Sequence, residues 1–355
     1  MQRILIDNID KRMTVPLVEY LIKEGYEVHG INFKNAKVIS NRLKTVYEIS
    51  KESVKEDLQK VFAHFNQEDY LIVGNPRIIE AVDEIKPEIK YIIPNQENVV
   101  KITNKKWLME LAYDLNVKAP KNNAKEYPLV VKLNNSENTN LKPQQRYKIV
   151  HNDTEYEQAV KAMGNDQENI LVQEYVTGSG FGVSMLLDQE SNLVDYIMHE
   201  RLLEYPVAGG PSAICVSRYN KELVSNAYKI LKALKWTGYA MVEFKGDYLI
   251  EINPRYWGSM PLLFVAESDF FKNYIRILDN THKVIDETVI PYKLNRKMYY
   301  CPQAFLAVLA LIKKGKLGKA LKMLGNIIVA KEGILSIKNP VPFINYIKSL
   351  VGRNI

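Results

Sequence analysis

The residues best suited to chemistry lie in one stretch, Met241-Val-Glu-Phe-Lys-Gly-Asp-Tyr-Leu-Ile-Glu-Ile-Asn-Pro-Arg255. Two alternating apolar segments flank Gly246-Asp247, the signature of a β-hairpin. Glu251 and Asn253 are two apart in one strand and so share a face. The placement of Glu243 depends on the turn. An odd loop, such as Gly246 to Tyr248, sets it directly opposite Glu251, whereas a two-residue turn sends the two carboxylates to opposite faces, one of them simply solvated. Opposed carboxylates across a ladder repel, and a divalent cation resolves that conflict. Two carboxylates and an amide offer only oxygen donors, which suits Mg²⁺ or Mn²⁺ rather than zinc. Arg255 adds a guanidinium of the kind a transferring phosphoryl group requires.

Lysines come next. Lys132 sits inside the apolar strand Leu129-Val-Val-Lys-Leu133, where a charge means either a protected sheet edge or a ligand contact. Lys105, at a predicted helix start, gains nothing from the helix dipole, so only a nearby anion would justify it. Gln173 to Gly182 joins two strands through three glycines. Such a linker can offer backbone groups to a flat heterocycle, or it can be a glycine-rich hairpin loop. His199 is a lone strand histidine; it could take a proton from an amine, but such residues are more often structural.

These side chains must be held by two kinds of unit. Residues 1–100 show βαβ rhythm, with strands at Ile4–Ile6, Glu27–Ile31, Tyr70–Val73 and Tyr91–Ile93 and a helix over Val15–Lys23, hence a largely parallel sheet. Asp7, Asn8 and Asp10 follow the first strand, at the edge where such sheets place ligands, but no GxGxxG stands there. Residues 101–280 read as an α+β unit of two lobes, about 101–175 and 176–280. Asn134–Gln145 is polar and glycine-free, a loop by composition. Residues 281–355 read as a basic helical extension. Its lysines 313, 314, 316, 319 and 322 stand beside Phe305, Leu306, Leu309, Leu311 and Ile312. Either it is a lid that packs its apolar side on the body, or it is a basic amphipathic surface for anionic lipid or an acidic partner.

The chain has 355 residues, 46% hydrophobic and 25% charged, with a formal charge of +7. That profile excludes disorder, collagen and coiled coil. Two cysteines make neither a disulfide framework nor a thiolate metal site, which points to the cytoplasm. No signal-peptide pattern is expected at the N-terminus, and the longest apolar run, Ala304–Ile312, is too short to span a bilayer. The basic excess comes without a nucleic-acid-binding motif.

Taken in order, Lys105, Lys132, Gln173-Glu-Tyr-Val176, Glu243 and Glu251-Ile-Asn-Pro-Arg255 resemble the ATP-grasp superfamily. Ser40–Tyr47, His199–Pro206, Gly209–Ser212 and Glu251–Gly258 narrow this to the stand-alone carbamoyl-phosphate-synthase-like members, presumed carboxylate-amine ligases. The resemblance covers residues 1 to about 280. It implies a pre-ATP-grasp α/β domain (1–100), then a two-lobed ATP-grasp domain (101–280) that holds ATP between its lobes. Lys105 and Lys132 would touch the ATP phosphates, Glu174, Tyr175 and Val176 the adenine. Glu243, Glu251 and Asn253 would ligate Mg²⁺ (or Mn²⁺). Arg255 would sit on the transferred phosphate, with Arg201 and the Gly209–Ser212 turn on the acceptor side. The implied reaction is ADP-forming ligation of a small carboxylate to an amine. A nucleotide-binding regulatory protein or a related carboxylase or thioester-forming ligase is the alternative. Two departures stand out: Gly180 occupies the place of an acidic ribose ligand, and the loop after Lys132 lacks glycine.

Overall fold

The computed structural model describes residues 2–135, 141, 145–164, 167–207 and 210–351. In chain order the strands are β1 (Arg3–Ile6), β2 (Glu27–Phe33), β3 (Val46–Ile49), β4 (Tyr70–Ile72), β5 (Leu129–Leu133), β6 (Tyr147–Val150), β7 (Ile170–Glu174), β8 (Gly180–Leu187), β9 (Leu193–Glu204), β10 (Ser212–Arg218), β11 (Gly238–Lys245), β12 (Tyr248–Asn253), β13 (Lys297–Tyr299) and β14 (Lys331–Glu332). The α-helices are α1 (Val15–Lys23), α2 (Val54–Phe62), α3 (Pro76–Ile85), α4 (Gln96–Thr103), α5 (Lys105–Asp114), α6 (Asp153–Ala162), α7 (Lys221–Ala233), α8 (Leu262–Val265), α9 (Phe270–Leu278), α10 (Gln303–Lys313), α11 (Leu317–Val329) and α12 (Val341–Val351).

The first sheet is parallel with order β3-β2-β1-β4. Its strands are covered on both faces, so Ile4, Leu5 and Ile6 are all fully buried. At the carboxyl end of β1, Asp7 is fully buried and accepts hydrogen bonds from the Gly74 and Asn75 amides, at 2.9 and 2.7 Å. Its carboxylate stitches the ends of β1 and β4 together. Tyr91–Ile93, expected as a strand, is not one. Its backbone is satisfied by side chains from the following unit: Tyr274 Oη donates to Ile92 O at 3.1 Å and Thr237 Oγ1 to Ile93 O at 2.6 Å. Tyrosines seal the same boundary elsewhere. Tyr256 Oη donates to Ile72 O and Tyr239 Oη to Val73 O, and the single proton of Tyr274 Oη is shared between Ile92 O and Leu71 O. The last carbonyls of β4 are thereby capped by phenols of the following unit, which fixes the placement of one on the other.

The next sheet is small, with antiparallel order β6-β5-β7, and builds on Leu129, Val131, Leu133, Val150 and Met163. Asn104 caps α5 at its entrance by accepting from Trp107 N at 3.0 Å. The large sheet has order β12-β11-β8-β9-β10-β13-β14. The C-terminal region is mainly helical, but its strands β13 and β14 lengthen this sheet, and α10 and α11 pack Ala304, Ala307, Leu311 and Met323 against Leu203 and Ile214. Among the described residues no helix is long and apolar enough to cross a membrane.

Candidate active site

The β11–β12 hairpin combines features that the sequence reading had set against each other. Lys245 pairs with Tyr248, so the turn is the two-residue Gly246-Asp247, yet Glu243 pairs directly with Glu251. A β-bulge reconciles the two. Phe244 pairs with Leu249 and Glu243 with Glu251, which leaves Ile250 as the extra residue. Leu249 and Ile252, three apart, therefore both face the core beside Phe244 and Val242. Glu243, Glu251 and Asn253 share the other face. Asn253 is 6% exposed, and its amide donates to Glu243 Oε1 and Glu251 Oε1, each at 3.1 Å.

Arg201 completes this cluster from β9. Its Nη2 lies 2.5 Å from Glu243 Oε2 and its Nη1 3.7 Å from Glu204 Oε1. Gly180 of β8 lies between Arg201 and Lys245 in the ladder. A Cβ on Gly180 would stand 3.0 Å from Arg201 Cδ, so the glycine leaves the surface over which the arginine reaches Glu243. A glycine inside a strand is the sequence signal for such an approach. Burial opposes the charge of Arg201, and Glu243, Glu204 and Glu251 outweigh it. Its Nε is nevertheless buried with no hydrogen-bond partner among the described residues. Burial pushes the Glu243 carboxyl up, Arg201 pulls it back and Glu251 adds to the rise. Glu204 belongs to the same cluster and was assigned no role in the sequence; it lies three residues beyond Arg201 on the bulge-bearing strand β9.

Lys132 approaches from the small sheet. It occupies the central strand β5 rather than an edge, so the edge explanation for its charge fails. It is 9% exposed, and its ammonium is pushed down to about 8, first by burial and then by Lys105, with Glu251 opposing. The two lobes thus face each other with cations on one and carboxylates on the other. Lys105 Nζ donates to Asn134 O at 3.3 Å. Residues 136–140 and 142–144 of the glycine-free loop and Gly209 of the Gly209–Ser212 turn lie outside the described residues. Arg255 is exposed, donates to Tyr256 O at 3.3 Å, and stabilises the charged form of Glu243.

The link between lobes runs past Glu174, whose amide donates to Lys121 O at 3.1 Å, to the exposed Tyr175 and half-buried Val176. It then touches the hairpin turn. Gly246 N donates to Ser179 O at 2.8 Å, and a Cβ on Gly178 (φ +128°) would stand 2.8 Å from Gly246 Cα. Only glycine allows that backbone contact. His199 is 1% exposed, close to Ser259 Oγ (3.2 Å from Nε2), and its imidazole is pushed down to about 3 by burial and by Arg201. It is a neutral core side chain at pH 7, as the structural reading of it expects.

Could these residues hold a divalent cation? Among the described residues no group of three or more His, Cys, Asp or Glu is poised for a metal. The Glu243–Glu251–Asn253 set has two carboxylates and an amide. Its donors are hard oxygens, two like charges share one face, and the amide between them can turn its oxygen inward; this fits Mg²⁺ with the remaining positions left for phosphate oxygens or water.

A parallel α/β sheet is thus followed by a three-stranded antiparallel sheet and a seven-stranded, mostly antiparallel one, with Lys132 across from the carboxylate cluster. Residues 102–259 match the family described as the ATP-grasp domain. The structure resembles pyruvate carboxylase of Rhizobium etli (TM-score 0.62, 16% identity, 84% of this chain and 30% of that one). It also resembles biotin carboxylase of Campylobacter jejuni, solved with β,γ-ATP (0.62, 13%, 83% and 74%). A third is L-amino acid ligase of Bacillus licheniformis (0.58, 15%, 81% and 76%). At these identities the likeness is one of fold, and the chain spans less than a third of the pyruvate carboxylase. No curated protein matches the chain in sequence.

Proposed function

We propose that this chain is an ATP- and Mg²⁺-dependent ligase that activates a small carboxylate as an acyl phosphate and joins it to an amine. The observation that carries the reading is the bulged hairpin, which sets Glu243, Glu251 and Asn253 on one face beside Arg201 and opposite Lys132. Residues 1–100 would act as the pre-ATP-grasp domain and 101–280 as the clasp, with the protein in the cytoplasm.

In this reading Lys105 and Lys132 hold the ATP phosphates, and Glu174, Tyr175 and Val176 meet the adenine. Glu243, Glu251 and Asn253 hold Mg²⁺, which when bound neutralises charge on the phosphates. A substrate carboxylate oxygen forms a bond to the γ-phosphorus as the bond to the bridging oxygen of ADP breaks. An amine nitrogen then attacks the acyl carbon, phosphate leaves, and the nitrogen's proton passes to solvent. The carboxylate is already anionic, so alignment and charge neutralisation suffice. Arg255 faces the transferred phosphate. Arg201, with a buried donor to spare, orients the acyl acceptor side.

Thermal unfolding against ATP, with and without Mg²⁺, tests the binding part, because a ligand of the native state raises apparent stability. A Mg²⁺-dependent rise that disappears in Glu251→Gln is expected. ADP release requiring both an acid and an amine tests the reaction. Turnover dependent on bicarbonate alone would instead assign a carboxylase, and nucleotide binding without turnover on a broad panel would assign a regulatory role.

A further inference from the structure

Helices α10 and α11 each carry two apolar stripes, and the body of the protein covers one of each. On α11, Ala320, Met323 and Ile327 are buried. Leu317, Leu321 and Ile328 form a second stripe at helical spacing and are 59%, 69% and 83% exposed, while Leu324 between the two stripes packs partly on the covered side. On α10 the buried stripe is Ala304, Ala307, Val308 and Leu311. Phe305, Leu309 and Ile312, again at helical spacing, are 41%, 53% and 42% exposed. Single exposed apolar residues are ordinary; contiguous stripes on adjoining helices are not.

Charge is concentrated in the same segment. Residues 303–331 contain six lysines and no Asp or Glu. From Gln303 to the last residue lie nine of the 48 basic residues and one of the 41 acidic ones, so the positive excess of the whole chain arises there. Lys313, Lys314, Lys316, Lys319 and Lys322 are all exposed. Three occupants can be compared. A second copy in a two-fold contact would bring this lysine-rich face against itself. A soluble acidic polypeptide satisfies the lysines but leaves the leucines in water. An anionic bilayer surface satisfies both, because lysine stems lie along apolar surface while their ammonium groups reach the headgroups.

We propose that the outer face of α10 and α11 is a peripheral membrane-binding surface that takes anionic lipid. The helices lie in the interface plane; neither is long enough to span. This goes beyond the ligase reading and is independent of it, since no residue of the carboxylate cluster takes part.

The test is co-sedimentation of the full chain with vesicles of equimolar phosphatidylcholine and phosphatidylglycerol, and with phosphatidylcholine alone. Binding is expected to the mixed vesicles only, weakening with added salt. Leu321→Glu with Ile328→Glu should lower partitioning at least tenfold without changing the circular-dichroism melt. Lysine-to-glutamine changes at 313, 314 and 316 should each cost roughly fivefold. No binding to mixed vesicles at low salt by folded protein overturns the proposal. So does equally tight binding to polyglutamate that survives Leu321→Glu, which would assign the face to a soluble acidic partner. A concentration-dependent dimer that the same substitutions dissolve would assign it to a second copy.

Discussion

On the β11–β12 hairpin the Glu243 side chain is only 14% exposed and Asn253 is 6% exposed, whereas on α11 Leu321 is 69% and Ile328 83% exposed. One region keeps charge inside and the other keeps apolar surface outside. Both depart from the ordinary partition of residues, and a buried polar group or a large exposed apolar patch is the informative kind of departure. The two differ in what completes them. The hairpin cluster is internally compensated by Arg201 and Asn253, which suits the small ion and anionic ligand proposed for it. Among the described residues nothing covers the exposed stripes of the helix pair, which is why a broad surface is proposed for them. The proposed ligand site and the proposed attachment surface thus lie at different places on one sheet, β12 at one end and the β13–β14 end, where α10 and α11 pack, at the other.

The sharpest way to break this contrast is at the hairpin. Glu251→Gln keeps shape and removes charge, and should lower acid- and amine-dependent ADP release by roughly a hundredfold or more, with the far-ultraviolet spectrum unchanged. Wild-type turnover would show that the cluster is merely structural. On the helices, the two stripes of α10 should respond differently. Leu311→Ala, on the buried stripe, is expected to lose about 2–5 kcal/mol, and Leu309→Ala, one stripe over, less than about 0.5 kcal/mol, both read from urea unfolding. Equal losses would mean that something covers Leu309.

A pH titration separates the lobes. Lys132 is held near 8 against an ordinary 10.5. Between those values the unfolded chain binds a proton that the folded one lacks, so the ligand-free protein should gain stability as pH rises through that window. Nucleotide phosphates need the charged form, so affinity for an ATP analogue should fall above pH 8, approaching tenfold per unit. Lys132→Arg, charged throughout, should flatten the profile; an unchanged slope would assign it to another group. The smallest effect is expected at the domain boundary. Tyr239→Phe removes one hydrogen bond to Val73 O and should cost about 1 kcal/mol by thermal unfolding, with ligand affinity retained.

Much of this was legible in the residues. The helix over Val15–Lys23 and the hairpin around Gly246 follow from periodicity and turn chemistry, which are local. The motif residues also named the ATP-grasp fold, which the family match and the solved structures bear out. The sequence could not place Tyr91–Ile93, because its backbone partners are the side chains of Thr237 and Tyr274, far along the chain. Nor could it tell an edge lysine from a central one at Lys132, since strand order is a property of the assembled sheet. Gly180 inside its strand signalled a close approach, but that Arg201 is what crosses it shows only in the assembled sheet.

Residue type and spacing by themselves determined that Glu251 and Asn253 share a face, that the donors are oxygens, and that the basic excess gathers in the last helices. Whether Glu243 joins them was decided only by tertiary structure. A two-residue turn alone would have sent it to the other face, and the bulge at Ile250 brings it back because Phe244, Leu249 and Ile252 must all reach the same core. Likewise the sequence showed apolar residues along what is α10, but only the packed sheet, by covering one stripe of α10 and of α11 and not the other, revealed which of them face water.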